Sequence, residues 1–189
     1  PPRYTAIVLS ASPVTLTLPG VQVLARVQRI TNVAELHAAR LDALAHVTTP
    51  YCFYLDDDDE LPADYLSVLD ECAAQGLPLA YTNELVRRPG GDVLARAQPY
   101  SRASHRSDAT FVHHLALMNT GAAQAAAALL PRGAYCTLML LYYQLASGGA
   151  AHVDRIGYIW NKAGGIHTWP SMLVAQVAST AWAARNIAP

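Results

Sequence analysis

Tyr51-Cys-Phe-Tyr-Leu-Asp-Asp-Asp-Asp-Glu-Leu61 runs from five aromatic, cysteine or leucine side chains straight into four consecutive aspartates. Residues 51–55 have the composition of a strand buried on both faces. Pro62 then suits the first turn of a helix that ends near Gly76. Four adjacent carboxylates repel one another, so the fold gains nothing from them in isolation. A divalent cation at the end of the strand accounts for them, because hard cations take oxygen ligands. In open α/β sheets that end of a strand is also where ligands bind. The competing reading is a solvated turn, since Asp is common in turns and near helix N-termini. A turn rarely needs four.

Outward from this stretch, strand and helix signals alternate. Tyr4–Ser10 reads as a strand ending in Ser-Ala-Ser-Pro, and Val21–Ile30, after a Pro-Gly turn, as a second. Thr31 or Asn32 caps a helix over 33–47, with Val33, Leu36, Leu44 and Val47 as its apolar stripe. Leu79–Val86 is another strand, and Gly90-Gly91 turns the chain into Val93–Arg96. Residues 97–110 read as a loop. Helices are expected over 120–130 and 135–146, separated by Pro131-Arg-Gly133, then a strand over Val153–Trp160 and a helix from about Pro170. Strand and helix alternating through residue 86 predicts a single α/β domain, with a mostly parallel, Rossmann-like sheet flanked by helices. There is no internal repeat and no linker.

Hydrophobic residues make up 52% of the 189 and charged residues 14%, which describes a well-buried chain rather than a disordered one. A formal net charge of -1 argues against general electrostatic binding to nucleic acid. Cys52, Cys72 and Cys136 lack metal-type spacing, and their odd number suits a reducing compartment. Nothing reads as a signal peptide or a transmembrane segment, so a cytoplasmic protein is expected. The charges are unevenly spread. Ten of the fourteen acids precede residue 72, whereas Arg87, Arg88, Arg96, Arg102 and Arg106 gather in the middle with His105. An acidic corner for metal beside an Arg-rich stretch for phosphate is one way to use that layout, because guanidinium groups grip phosphate oxygens in a fork. An ordinary solvated loop is the other.

Residues 38–69 resemble the family 2 glycosyltransferases of the GT-A fold. That family shows an Ala-Arg-Asn helix, a short break, an apolar strand, then Leu-Asp-x-Asp-Asp, a Leu/Pro pair and a helix. A weaker echo is Tyr158-x-Trp160 followed by Gly164-Gly-Ile-His-Thr168, similar to the family's late Tyr-x-Trp segment and its following His. The opening strand lacks the family's usual Pro-Thr-x-Asn ending, and between Val14 and Ile30 the likeness is poor. The resemblance implies one GT-A-like domain over 1–189, with a nucleotide-binding half at about 1–96 and an acceptor-side half at about 97–189. It also implies transfer of a sugar from a UDP- or GDP-type donor, assisted by Mn²⁺ or Mg²⁺. Carried over residue by residue, Asp56 contacts the nucleotide ribose and Asp58 carries the metal. Ser10, Arg40 and Asp57 join the nucleotide site. His167 adds a metal ligand or a contact to the diphosphate, or is a loop residue. Arg40 is otherwise a helix-surface Arg with a packed stem.

One departure matters for the chemistry. Inverting members of the family place a carboxylate base at the start of the helix after the acceptor loop, where this chain reads Ala134-Tyr-Cys-Thr-Leu-Met. No acid lies between 109 and 153. A base must reach the acceptor hydroxyl, which leaves Asp108, His113, His114 and, more remotely, Asp154 as candidates and the acceptor unidentified. A moved base, a retaining mechanism and a non-catalytic nucleotide-sugar binding module all remain open. A nucleotidyltransferase shares the nucleotide and metal needs, but its Gly-rich, basic first loop is missing from Ser10–Gly20. A haloacid-dehalogenase-like phosphatase is disfavoured by Glu60, where that motif has Thr or Val, and by Lys162 being the only Lys.

Overall fold

In the computed structural model, which describes residues 1–108, 111–161 and 170–187, the apolar run before the four aspartates forms β3 (Tyr51–Tyr54) near the middle of a seven-stranded sheet. Cys52 and Tyr54 face one layer of helices while Phe53 and Leu55 face the other, and all four are buried. Burial on both faces is why the segment carries no polar alternation. Each such large side chain contributes about 1.5–3 kcal/mol when buried. Neighbouring exposed carboxylates oppose this by about 1 kcal/mol per pair in water. The strand therefore holds the acidic run in place despite its repulsion.

β1 (Tyr4–Ser10) pairs in parallel with both β3 and β2 (Val21–Val27). α1 (Val33–Ala45) connects β2 to β3; its cap is Asn32, whose side chain accepts from the Glu35 N–H at 3.0 Å. Glu35 accepts in return from the N–H and hydroxyl of Thr31, one residue before the cap. α2 (Tyr65–Ala74) leads to β4 (Leu79–Arg87), and β5 (Val93–Ala95) returns as the expected hairpin. β7 (Ala150–Asn161) runs parallel to β4 along its whole length. The long ladders are thus parallel and the short ones antiparallel. α4 (Thr120–Ala127), α5 (Thr137–Leu145) and α6 (Pro170–Asn186) complete the helical layers.

Two elements differ from the sequence reading. The expected loop at 97–110 contains a short helix, α3 (Arg102–Ser107), capped by Ser101 and anchored by the fully buried His105. The other is β6 (Ala116–Asn119), a strand left unassigned by pattern, which slots between β3 and β4 antiparallel to both. Four residues give too short a run for periodicity to register. Its direction has a consequence for the site. Because β6 runs opposite to its neighbours, the residues just before it lie at the C-terminal ends of β3 and β4.

Candidate functional site

The C-terminal ends of β1, β3 and β7, the segment after β2 and the entry to β6 meet around a cavity of about 390 Å³. Ser10, Arg40, Asp56, Asp57, Asp58, Asp59, His113 and His114 all line it. Every sequence-derived candidate among the described residues is therefore brought to one place, except Asp108 and Asp154. Asp108 ends α3, Asp154 lies within β7, and neither is among the lining residues. His167 lies outside the described residues.

The four aspartates divide by environment. Asp56 is addressed by Arg40, whose Nη2 donates to Oδ1 at 3.3 Å; the Arg40 side chain is only 12% exposed and lies over the Tyr54 ring. Tyr54 returns the support by donating its hydroxyl to the Arg40 carbonyl at 2.8 Å. Asp59 is tied to β7, where its carboxylate accepts from the Tyr158 hydroxyl at 2.8 Å and the Asn161 N–H at 2.7 Å. Burial pushes the Asp59 carboxyl up to about 6; those two hydrogen bonds oppose the rise and the charges of Asp56 and Asp58 add to it. Asp57 and Asp58 are the exposed members.

β7 also fixes the loop's backbone. Glu60 and Ile159 exchange N–H to carbonyl bonds at 3.1 and 2.9 Å, and the Asn161 side chain donates to the Asp58 carbonyl at 2.7 Å. The Asp56 N–H donates to the Tyr158 hydroxyl at 3.2 Å. Tyr158 thus sits at the hub, fully buried, with burial pushing its phenol well above the ordinary range.

The opposite wall is built from histidines. His114 is buried and stacked on the Tyr158 ring at 4.4 Å, and burial pushes its proton affinity well below the ordinary range. Its Nε2 lies 3.9 Å from Asp56 Oδ2, a contact between a neutral ring and a carboxylate rather than an ion pair. His113 packs against His114 and Trp160, and its Nδ1 is 2.8 Å from the Glu84 carboxylate. Sequence reasoning passed over Glu84 and Asn161. The signal for Glu84 was present, since it is an acid within a strand otherwise read as buried.

The Arg-rich middle does not face this cavity. Arg87 pairs with Glu60, Arg96 with Asp154, and Arg102 lies over the Tyr143 ring. Arg40 is the guanidinium among the lining residues. The remaining lining is largely apolar: Met172 packs with Leu36, Leu9 and Ile30, and Leu138 and Met139 add to it from α5.

Among the described residues no group of three or more His, Cys, Asp and Glu is arranged to hold a metal ion. Asp57 and Asp58 nonetheless present exposed carboxylates to the cavity. That donor set fits a hard cation which completes its shell with ligand oxygens and water. No described helix is long and apolar enough to cross a membrane.

No protein-family model and no curated protein matches this sequence. Solved structures do match. S. aureus TarS 1-349 in complex with UDP-GlcNAc superposes with a TM-score of 0.58 at 10% identity, over 87% of this chain and 60% of that one. Another TarS 1-349 structure gives a TM-score of 0.50 at 9% identity, over 84% and 60%. The chain thus spans 60% of the length of these structures. At this identity the likeness establishes the fold, which is α/β and GT-A-like.

Proposed function

We propose that this chain is a metal-dependent glycosyltransferase, similar to family 2, that moves a sugar from a UDP- or GDP-type donor to an acceptor hydroxyl. The observation that carries the reading is the convergence of Ser10, Arg40 and the four aspartates on one cavity at the C-terminal ends of β1 and β3. In open α/β sheets that is where ligands bind. The fold's likeness to TarS bound to UDP-GlcNAc supports a nucleotide-sugar ligand.

In this reading Asp58, with Asp57 beside it, holds Mn²⁺ or Mg²⁺ against the donor's diphosphate. When bound, such a cation supplies neutralising charge to the diphosphate as it leaves. The chain's own groups do the positioning. Arg40 holds the Asp56 carboxylate toward the ribose, Ser10 faces the nucleotide, and Tyr158 and Asn161 keep the acidic loop from recoiling under its own repulsion. Asp59 is consumed in that support and is not a ligand.

The test is calorimetry of UDP and GDP with and without Mn²⁺, alongside duplex DNA, followed by assays of sugar release from UDP- and GDP-sugars. Metal-dependent diphosphate binding and sugar release are expected. Tight, steeply salt-dependent DNA binding in place of diphosphate binding is the result that contradicts the reading. Metal-dependent binding with no turnover of any donor would instead favour a binding module.

A further inference from the structure

The proposed donor site uses the aspartate wall and leaves the histidine wall without a role. We propose that His113 is the general base that takes the proton of the acceptor hydroxyl, and that Glu84 is the residue that positions it. This rests on the transferase reading above and adds the proton acceptor that reading lacks.

The pair is built like a base with an orienting partner. A carboxylate accepts, so the 2.8 Å contact from Glu84 Oε2 assigns the hydrogen to His113 Nδ1 and leaves the Nε2 lone pair free. The two side chains differ in exposure, 33% for His113 and 11% for Glu84, so the pair is closed behind and open in front. The open end belongs to a residue that lines the cavity shared with the aspartates. The ring is held from two further sides, by His114 at 4.1 Å and Trp160 at 5.2 Å between centroids. A base fixed in this manner loses little orientation on reaching the transition state.

The other candidates fail on geometry. His114 is stacked under Tyr158 and buried, with its Nε2 directed at Asp56. Asp108 and Asp154 are not lining residues. Glu84 is itself buried between β5 and β7 and is not a lining residue. The start of α5, where Cys136, Leu138 and Met139 line the cavity, carries no acid.

The step balances without a further reactant. The acceptor O–H bond breaks and its proton passes to Nε2. The oxygen bonds to the anomeric carbon on the face opposite the diphosphate. The carbon–oxygen bond to the diphosphate breaks, and its electron pair leaves with the nucleotide. Glu84 stays ionised and stabilises the imidazolium, which later returns its proton to solvent. A single displacement of this kind inverts the anomeric carbon.

The groups facing His113 are Glu84 from β4, the His114 ring from its own segment and Trp160 from β7; Arg40 and Asp56 to Asp59 line the same cavity. Replacing Glu84 by Gln keeps a hydrogen-bonding side chain but removes the charge that favours the imidazolium. Activity requires a neutral base, so the acid-side fall in rate should move to lower pH in Glu84→Gln.

The experiment measures Mn²⁺-dependent turnover of a panel of UDP- and GDP-sugars, UDP-GlcNAc among them, with water and then simple glycosides as acceptors. Wild type, His113→Ala, His113→Gln and Glu84→Gln are compared, with UDP calorimetry on each. Both His113 variants should lose roughly 10²–10⁴ in kcat, bind UDP as wild type does, and His113→Ala should regain activity with added imidazole. Glu84→Gln should lose about tenfold in kcat, leave the donor KM unchanged and shift the pH profile. Proton NMR should show an inverted product. Full kcat in His113→Ala, a retained anomer, or a Glu84→Gln loss with no shift in pH profile overturns the dyad while leaving the transferase reading intact. No turnover by wild type of any donor overturns both.

Discussion

The two walls of the cavity solve the same problem, holding polar groups at the end of a buried sheet, by opposite means. The acidic wall is contiguous in sequence, four aspartates on one loop, and needs outside help to stay put. Tyr158, Asn161 and Arg40 supply it from β7 and α1. The histidine wall is assembled from three separate strands, with His113 and His114 at the entry to β6, Glu84 in β4 and Trp160 in β7. It is held by burial, by ring packing and by the single Glu84 carboxylate on His113. A contiguous wall can be rebuilt by one loop change, whereas an assembled wall depends on strand register.

That difference predicts distinct failure modes. The largest effect should be on the histidine side in acid. Burial pushes the His105 ring, packed against Phe111 and Tyr143, down to about 4, and the buried His114 moves in the same direction. Both are neutral in the fold, while the unfolded chain takes up protons below about pH 6.5. The contribution is therefore fully present above pH 6.5 and lost as pH falls toward 4, by up to about 3 kcal/mol from His105 alone. Urea melts between pH 4.5 and 8 should show the slope, and His105→Phe should flatten it. An unchanged slope in that variant would remove His105 from the account.

A register perturbation should hurt both walls together. β7 carries an irregularity in which Asn83 pairs with Ile156 and Glu84 with Tyr158, leaving Gly157 between them. A methyl group there would collide with the Thr82 hydroxyl and sit 3.0 Å from the Thr82 Cβ. Gly157→Ala should cost about 1–3 kcal/mol of stability, the usual range for overpacking, and weaken UDP binding because Tyr158 shifts. Adding Thr82→Ala should recover part of the loss in a denaturant titration. Equal stability of Gly157→Ala and wild type would show that β7 does not hold the walls as described.

The smallest effect should be confined to the acidic wall. Tyr158→Phe removes the hydroxyl that bridges Asp59 and the Asp56 N–H but keeps the ring under His114. A loss of about 1–2 kcal/mol is expected, in line with hydrogen bonds to charged or buried groups. Melting with and without Mn²⁺ and UDP would read it, and the ring contact predicts that the environment of His114, followed by NMR, changes little.

The legibility of each wall follows from its construction. Tyr51–Leu61 announced both a buried strand and a polar terminus, because an apolar run ending in charges has few other uses. The parallel frame from β1 to β4 was equally readable from alternating strand and helix signals. β6 was not, since four residues give no period, and its reversed direction is visible only in its antiparallel pairing with β3 and β4. The role of His113 depends on that reversal. Asp59 was ambiguous for another reason. Its neighbours in sequence suggest metal binding, while its partners in space, Tyr158 and Asn161, come from a strand about a hundred residues away. The Arg-rich middle shows the converse failure, a compositional cluster that the fold disperses onto separate partners.

The central claim is that Asp58 binds a divalent cation together with a nucleoside diphosphate, and it can be tested by one titration. UDP is titrated into wild type and Asp58→Ala, each with and without Mn²⁺, after matched melting curves establish that both are folded. The account predicts Mn²⁺-dependent binding in wild type and at least a tenfold weaker metal-dependent affinity in Asp58→Ala, a loss of about 1.4 kcal/mol or more. An unchanged metal-dependent titration in folded Asp58→Ala would contradict it.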